Sequence, residues 1–286
     1  MLYEQLQAEA RKVEAIKQAA EKSLRHSPCG SLRITRRNGW PQFYQRVVNG
    51  AGVVETVYLG KKRGGLVRSL AQKDYDRLIL KSATTQQKAI DAALKKLSDY
   101  SPGDEPSEDQ VKQQNLDLAP IKQIYADLCD ERKELVVPYE LPDDMFAELW
   151  EQEALARLPH DDFYTHNLIY RTEKGHLVRS KSEAIIADRL LYAGVPYIYE
   201  LPFELTSRNS ARPDFTVLNK RTREEFIWEH FGLMDDPDYR ETAFEKLALY
   251  AKSGRVPGRG LIVTFESVDH PLDIDSVTAN IEAHLQ

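Results

Sequence analysis

The sequence predicts an α/β protein, α+β overall, with a helix, a small three-stranded antiparallel sheet and further helices in its first half and mixed α/β structure beyond Pro159. Three observations predict this. Residues 1–25 place apolar side chains at helical spacing without Gly or Pro, residues 31–59 alternate with a period of two between turn signals, and after Pro159 short apolar strands alternate with helical runs. A chain of 286 residues with 42% hydrophobic character can bury one large core or two ordinary ones, which excludes a disordered tail protein. No stretch approaches the ~20 consecutive apolar residues of a membrane span, and Met1-Leu2-Tyr3-Glu4 does not open a signal peptide. A cytoplasmic protein without membrane contact is therefore expected. Cys29 and Cys129 lie far apart without CxxC spacing, so a disulfide framework and a cysteine-rich zinc site are both excluded, and any metal must sit on oxygen ligands.

The first helix carries Leu2, Leu6, Ala10, Val13, Ile16 and Ala20 on one stripe. The stripe is short and Ala-rich, which suits an intramolecular contact and a coiled-coil homodimer or helical partner equally well. Strands around Leu32-Ile34, Phe43-Val47 and Val53-Leu59 follow, separated by Asn38-Gly39 and by Asn49-Gly50-Ala51-Gly52. They form a meander, followed by a helix near 66–80. This segment is unusually basic: residues 25–77 hold eleven Lys/Arg against three Asp/Glu, while residues 78–286 hold twenty-four against thirty-eight. Clustered cations attract phosphates and release counterions. Arg33, Arg36, Arg37, Arg46, Lys61, Lys62 and Arg63, interleaved with Trp40, Phe43, Tyr44 and Tyr58, are thus candidate nucleic-acid contacts. An ordinary solvated sheet is the alternative reading.

A second helix is expected at 84–99, a Pro/Ser/acid-rich linker near 101–116, and helices at 117–135 and 143–157. The resulting division is an N-terminal helix (1–26), a basic meander with its helix (27–82), a helical connector (83–158) and a C-terminal domain (159–286).

The C-terminal domain holds the chemistry. Ser180-Lys181-Ser182-Glu183 opens a helix that Gly194 closes, and its capping-box pattern gives Glu183 a purely structural alternative. Tyr197, Tyr199 and Leu201 alternate in a strand, and Arg212–Leu218 form another. Polar residues Asn219–Glu224 then lead into Glu225–Phe231. If that hairpin is symmetric about Arg221-Thr222, Leu218 opposes Glu225 and Asp214 opposes Glu229. Opposed residues share a face with Cβ atoms roughly 4.5–5.5 Å apart, so two carboxylates among Phe, Ile, Trp and Val repel and call for a cation. Mg²⁺, held by one or two carboxylates and completed by water or phosphate oxygens, is the natural choice. A one-residue slip would separate the pair.

Glu183 on a helix, Pro213-Asp214 on a strand and Glu229 on its partner resemble the PD-(D/E)XK, or restriction-endonuclease-like, nuclease superfamily, over about residues 160–270. The resemblance implies an αβββαβ core. It also implies a metal-dependent nuclease using Mg²⁺ (or Mn²⁺), with nucleic acid, DNA expected, as substrate and partner. The chain departs from the pattern two residues after Glu229, where Phe231 stands in place of Lys. Lys246 is the candidate for a migrated lysine, in a helix of about 238–252 that aligns Tyr239, Ala243, Lys246 and Tyr250 on one stripe. A snorkelling surface lysine is the alternative. Lys246-x-x-x-Tyr250 is similar to the Gln-x-x-x-Tyr motif of exonuclease-like members. The implied roles are Asp214 and Glu229 as metal ligands with the His230 carbonyl, Glu183 assisting the metal or orienting water, and Lys246 neutralising charge at phosphorus. His230 and Glu200 are secondary candidates, as is Tyr250. Met234–Asp238 is expected to cap the helix, and Gly260–Glu266 to form a buried strand after it, in the position where a parallel strand is common.

Two further readings stand beside the nuclease. One is a nuclease fold that binds nucleic acid without cutting it, and the other is a helical interaction platform. A Ser/His/Asp hydrolase lacks its Gly-x-Ser-x-Gly elbow, and a P-loop enzyme lacks Gly-x-x-x-x-Gly-Lys-Ser/Thr.

Overall fold

The structure is a computed structural model that describes residues 2–98, 118–158, 168–206 and 209–286. The linker expected near 101–116 lies outside the described residues. The chain divides into two compact units, Met1–Pro142 and Asp143–Gln286. Among the described residues no helix is long and apolar enough to cross a membrane.

In the first unit, helix α1 (Leu2–Arg25) and helix α2 (Gly64–Ser98) pack against each other. Leu6, Val13, Ile16 and Ala20 of α1 and Leu70, Ala71, Tyr75 and Ile79 of α2 are buried. The apolar stripe of α1 is thus covered from within the chain. Strands β1 (Ser31–Arg37), β2 (Trp40–Val48) and β3 (Val54–Leu59) form the expected meander in the order β1-β2-β3. Asn38 and Gly39 take φ of 52° and 79°, the left-handed pair that a two-residue hairpin turn requires.

Two helix boundaries differ from expectation. The helices expected at 66–80 and 84–99 are one helix of 35 residues. Beyond Gly64 and Gly65 at its start it holds no Gly or Pro, and the hydroxyls of Thr84 and Thr85 donate to the carbonyls of Leu80 and Lys81 within it, so these residues do not break the helix. The helix expected at 117–135 is instead two, α3 (Ala119–Ala126) and α4 (Asp130–Lys133), because Cys129 is extended with ψ of 156°. Asp and Cys are weak helix formers, so Asp127-Leu128-Cys129-Asp130 gives way there.

The second unit begins with helix α5 (Asp143–Ala156), which sequence alone assigned to the connector. Its Ala147, Trp150 and Ala154 pack with Ile198, Leu201 and Leu218, so it belongs with the C-terminal half. The short strands β4 (Tyr170–Arg171) and β5 (Leu177–Val178) precede helix α6 (Lys181–Tyr192). Then come β6 (Tyr197–Tyr199), an unanticipated hairpin of β7 (Phe203–Thr206) and β8 (Asn209–Ala211), β9 (Phe215–Asn219) and β10 (Glu224–Phe231). Helix α7 (Pro237–Lys252), strands β11 (Val256–Pro257) and β12 (Gly260–Phe265) and helix α8 (Ile274–Leu285) complete the chain.

The main sheet runs β11-β12-β10-β9-β6, with β10 antiparallel to β9 and parallel to β12. One face, carrying Phe215, Val217, Phe226, Trp228 and Ile262, buries Ile186 and Leu190 of α6 and Val277 and Ile281 of α8. On the other face Ile227 and Leu261 meet Tyr250 of α7. A central strand buried on both sides leaves its polar residues dependent on partners inside the protein.

Helix α6 is fixed at both ends. Ser180 accepts the Glu183 N–H at its start, and at its end the N–H groups of Val195 and Gly194 donate to the carbonyls of Leu190 and Leu191 around Gly194, at φ 66°. Because that left-handed backbone disfavours any Cβ, Gly194→Ala is expected to lower stability by about 1–2 kcal/mol, read as a lower urea midpoint with an unchanged slope.

Candidate functional site

The β9–β10 hairpin delivers the first two carboxylates. Its register places Leu218 opposite Glu225 and Phe215 opposite Trp228, as expected from symmetry about the turn. Regular pairing stops one step before Asp214 and Glu229. There Oδ2 of Asp214 accepts the backbone N–H of His230 at 2.6 Å. The adjoining Glu200 holds a left-handed backbone at φ 48°, and its N–H donates to the Asp214 carbonyl at 3.1 Å. Asp214 is thus gripped through both its main chain and its side chain.

Glu229 is 1% exposed, with both oxygens engaged. Oε2 lies 2.7 Å from the Lys246 ammonium, and Oε1 accepts the Tyr250 hydroxyl at 2.5 Å. Both partners come from α7, whose start is set by Pro237 in the first turn and by Asp236, which accepts the N–H groups of Asp238 and Tyr239. The acidic Met234–Asp238 patch therefore caps the helix, as its sequence suggests. Lys246 does not snorkel to water alone: its ammonium sits on Glu229. Phe231, at the position of the motif lysine, is buried and stacked on Phe265 with ring centroids 5.6 Å apart.

Burial, and next the charge of Glu229, hold the Asp214 carboxyl well above the usual carboxylate range. Burial also raises Glu229, against the opposing pull of Lys246 and Tyr250. Since Glu229 faces an ammonium while the Asp214 carboxyl accepts, among the described residues, only a backbone N–H, a proton bound by the pair resides preferentially on Asp214. Burial beside Glu229 likewise pushes the Tyr250 hydroxyl up, so it remains a donor.

Glu183 occupies the third position of α6 and is half-buried. Its Oε2 accepts the Arg179 N–H at 3.1 Å and the Tyr199 hydroxyl at 2.6 Å. The capping reading is therefore partly fulfilled, yet the carboxylate also serves a phenol from the sheet, and its charge raises the pKa of both Asp214 and Glu229. Among the described residues no three His, Cys, Asp or Glu side chains are gathered as a ready metal cluster. The structure brings Asp214, Glu229 and Lys246 together and leaves Glu183 within electrostatic reach.

The secondary candidates separate. Tyr250 joins the site. His230 points to the opposite face, where Nδ1 lies 3.0 Å from Thr264 Oγ1 and Nε2 lies 3.4 Å from Glu266 Oε1 without hydrogen-bond geometry. Burial lowers its pKa, so the neutral ring is favoured. Glu200 is held by Arg179, with Nε to Oε1 at 2.6 Å. Sequence reasoning missed Tyr199 as the partner of Glu183 and Ser182 as the donor to Glu266 at 2.7 Å. Only the alternation of Tyr197 and Tyr199 hinted at the first.

Of the basic candidates, Arg36 is engaged by Glu131, with Nε to Oε1 at 2.6 Å, and is withdrawn from the open set. Arg33, Arg37, Arg46, Lys62 and Arg63 are exposed, and the side chain of Lys61 lies outside the described residues.

The Asp214–Glu229 pair fits a hard divalent cation in kind. Asp214 Oδ1 receives no hydrogen bond among the described residues and an ion there would relieve the repulsion of the pair, whereas both Glu229 oxygens already accept, from Lys246 and Tyr250.

No family model matches the chain, and no solved structure matches it. A stretch of 92 residues, 32% of the chain, is 35% identical to "Uncharacterized protein MJ1519" of Methanocaldococcus jannaschii, and the match spans 8% of that protein's length.

In the metal-free protein the raised pKa of Asp214 makes the folded state bind a proton that the unfolded state releases above about pH 4. Its contribution to stability is present below that value and is lost as pH rises through the folded pKa. Asp214→Asn keeps an acceptor for the His230 N–H and removes the charge. It is expected to stabilise the metal-free protein by about 1–2 kcal/mol at pH 7 and to flatten the decline with pH, measured by urea unfolding in EDTA across pH 4–9.

Proposed function

We propose that this chain is a metal-dependent nuclease of the PD-(D/E)XK type that hydrolyses phosphodiester bonds in nucleic acid, with DNA the expected polymer. The observation that carries this reading is the meeting of Asp214 and Glu229 on one hairpin with Lys246 at 2.7 Å from Glu229. The succession α6, β6, β9, β10, α7, β12, with β12 parallel to β10, supports an αβββαβ core.

Asp214 and Glu229 would hold Mg²⁺ or Mn²⁺, with the His230 carbonyl as a further oxygen. When bound, such an ion supplies positive charge beside the scissile phosphate and lowers the pKa of an attacking water. The residues of this chain do the rest. Lys246, 31% exposed at its side chain, is placed to turn from Glu229 toward phosphate oxygens as charge develops on them. Glu183, held in orientation by Tyr199 and the Arg179 N–H, is placed to accept a hydrogen bond from the water. Tyr250 fixes the Glu229 carboxylate by donating to Oε1. The exposed cations of the basic segment would contribute phosphate contacts that an acidic second half does not supply.

Phe231 in place of lysine keeps a second reading in view, a fold that binds nucleic acid without cutting it. Nicking and linearisation of supercoiled plasmid separates the two. Cutting is expected with Mg²⁺ or Mn²⁺ and not with EDTA, and Asp214→Asn, Glu229→Gln and Lys246→Met are each expected to slow it by at least about 100-fold. Plasmid and single-stranded DNA both left uncut with metal binding intact favour the second reading, and cutting of either by the Asp214→Asn protein at the wild-type rate overturns the site.

A further inference from the structure

The pairing of the first-unit meander sorts its side chains between two faces with different chemistry. Cross-strand partners share a face, and so do residues two apart along a strand. Arg33 opposes Tyr44, which opposes Tyr58; Arg46 opposes Ser31 and Thr56; Arg37 opposes Trp40. All of these lie on one face. The other face carries Leu32, Ile34, Phe43 and Leu59, with Leu32 and Leu59 buried, and it holds Arg36 with its partner Glu131 and also Glu55.

The first face is open and one-signed. Trp40 is 77% exposed and Tyr58 54% exposed. The rings of Tyr44 and Tyr58 meet edge to face with centroids 5.4 Å apart, and the Tyr44 hydroxyl is steadied by donating to Gln42 at 2.9 Å. Arg33, Arg37 and Arg46 are exposed, and no Asp or Glu stands at any position of this face in the three strands. Exposed aromatic rings beside exposed guanidinium groups that have no ion pair among the described residues, in rows about 7 Å apart along the strands, make a surface for flat π-systems joined by phosphates.

We infer that this face is a stacking platform for single-stranded nucleic acid, with Trp40 and Tyr58 under unpaired bases and Arg33, Arg37 and Arg46 on the phosphates. A duplex does not satisfy it, because paired bases stack on one another and present no face to a ring, whereas base–aromatic stacking serves any unpaired sequence. The inference deepens the nuclease reading by naming its substrate class, and it rests on that reading only for the link between binding and cutting.

The test exploits the placement of the three tryptophans. Trp150 and Trp228 are buried and hydrogen-bonded, to Glu225 and Thr264, so Trp40 is the one whose emission a stacked base reaches. The full chain carrying Asp214→Asn is titrated in EDTA with a thymidine homopolymer, a uridine homopolymer and a duplex of matched length. Quenching of tryptophan emission by either homopolymer, with clearly weaker binding of the duplex, is expected. Trp40→Ala and Tyr58→Ala, read by anisotropy of labelled oligomer, are each expected to weaken that binding about tenfold, and Arg33→Ala and Arg46→Ala to reduce its salt dependence. Both rings being exposed, unchanged urea midpoints show that the variants fold. Equal affinity for duplex and single strand, or wild-type affinity in Trp40→Ala, overturns the inference. Because binding is read without turnover, a failure of metal-dependent cutting leaves this result standing, and the reverse also holds.

Discussion

Burying the carboxylate of Glu229 in a strand that is paired on both edges and covered on both faces sets the terms for the second unit. A lone ionised carboxylate there would cost several kcal/mol, so it must be met by charge and by a hydrogen bond at once. Lys246 and Tyr250 supply both from one helix, four residues apart, which requires that α7 run along this face in a fixed rotation. Asp236 and Pro237 fix where that helix begins. Asp214 is then held well above the usual carboxylate range by its own burial and next by the charge of Glu229, with the His230 N–H and the more distant pull of Lys246 opposing.

The same strand carries a second polar system on its other face. His230 and Trp228 both reach Thr264 on β12, at 3.0 and 3.1 Å, and Glu266 beyond it accepts the Ser182 hydroxyl from α6. Burial opposes ionisation of Glu266, but the hydrogen bond that it accepts from Ser182 helps to lower its pKa on balance. Alternate residues of β10 are thus tied in turn to α7 and, through β12, to the start of α6. The helix bearing Glu183 and the helix bearing Lys246 are located relative to each other by a single strand.

Legibility in the sequence followed the range of the interactions. The meander was readable because Asn38-Gly39 admits few turns, and the Asp214–Glu229 pairing because a short turn and period-two alternation leave few registers. Lys246 was sought because the resemblance calls for a lysine where Phe231 stands, and its helical spacing with Tyr250 then singled it out. What escaped was set by contacts distant in sequence or by competition between weak propensities. Nothing local distinguishes Arg36 from Arg37, yet Glu131 claims only the first, since the two project to opposite faces. Glu200 looked like a strand-end acid until its left-handed backbone and its pairing with Arg179 appeared. The membership of α5 depended on Trp150 reaching Leu218, which no pattern within α5 announces.

Asp214 and Glu229 are joined by a four-residue turn at 220–223, so the chain itself keeps the two carboxylates together, whereas the Lys246 ammonium is held beside them only by the seat of α7 on the sheet. Any motion that lifts this helix takes the cation away and leaves the acidic pair behind, so the charge balance of the site is coupled to the docking of a single helix.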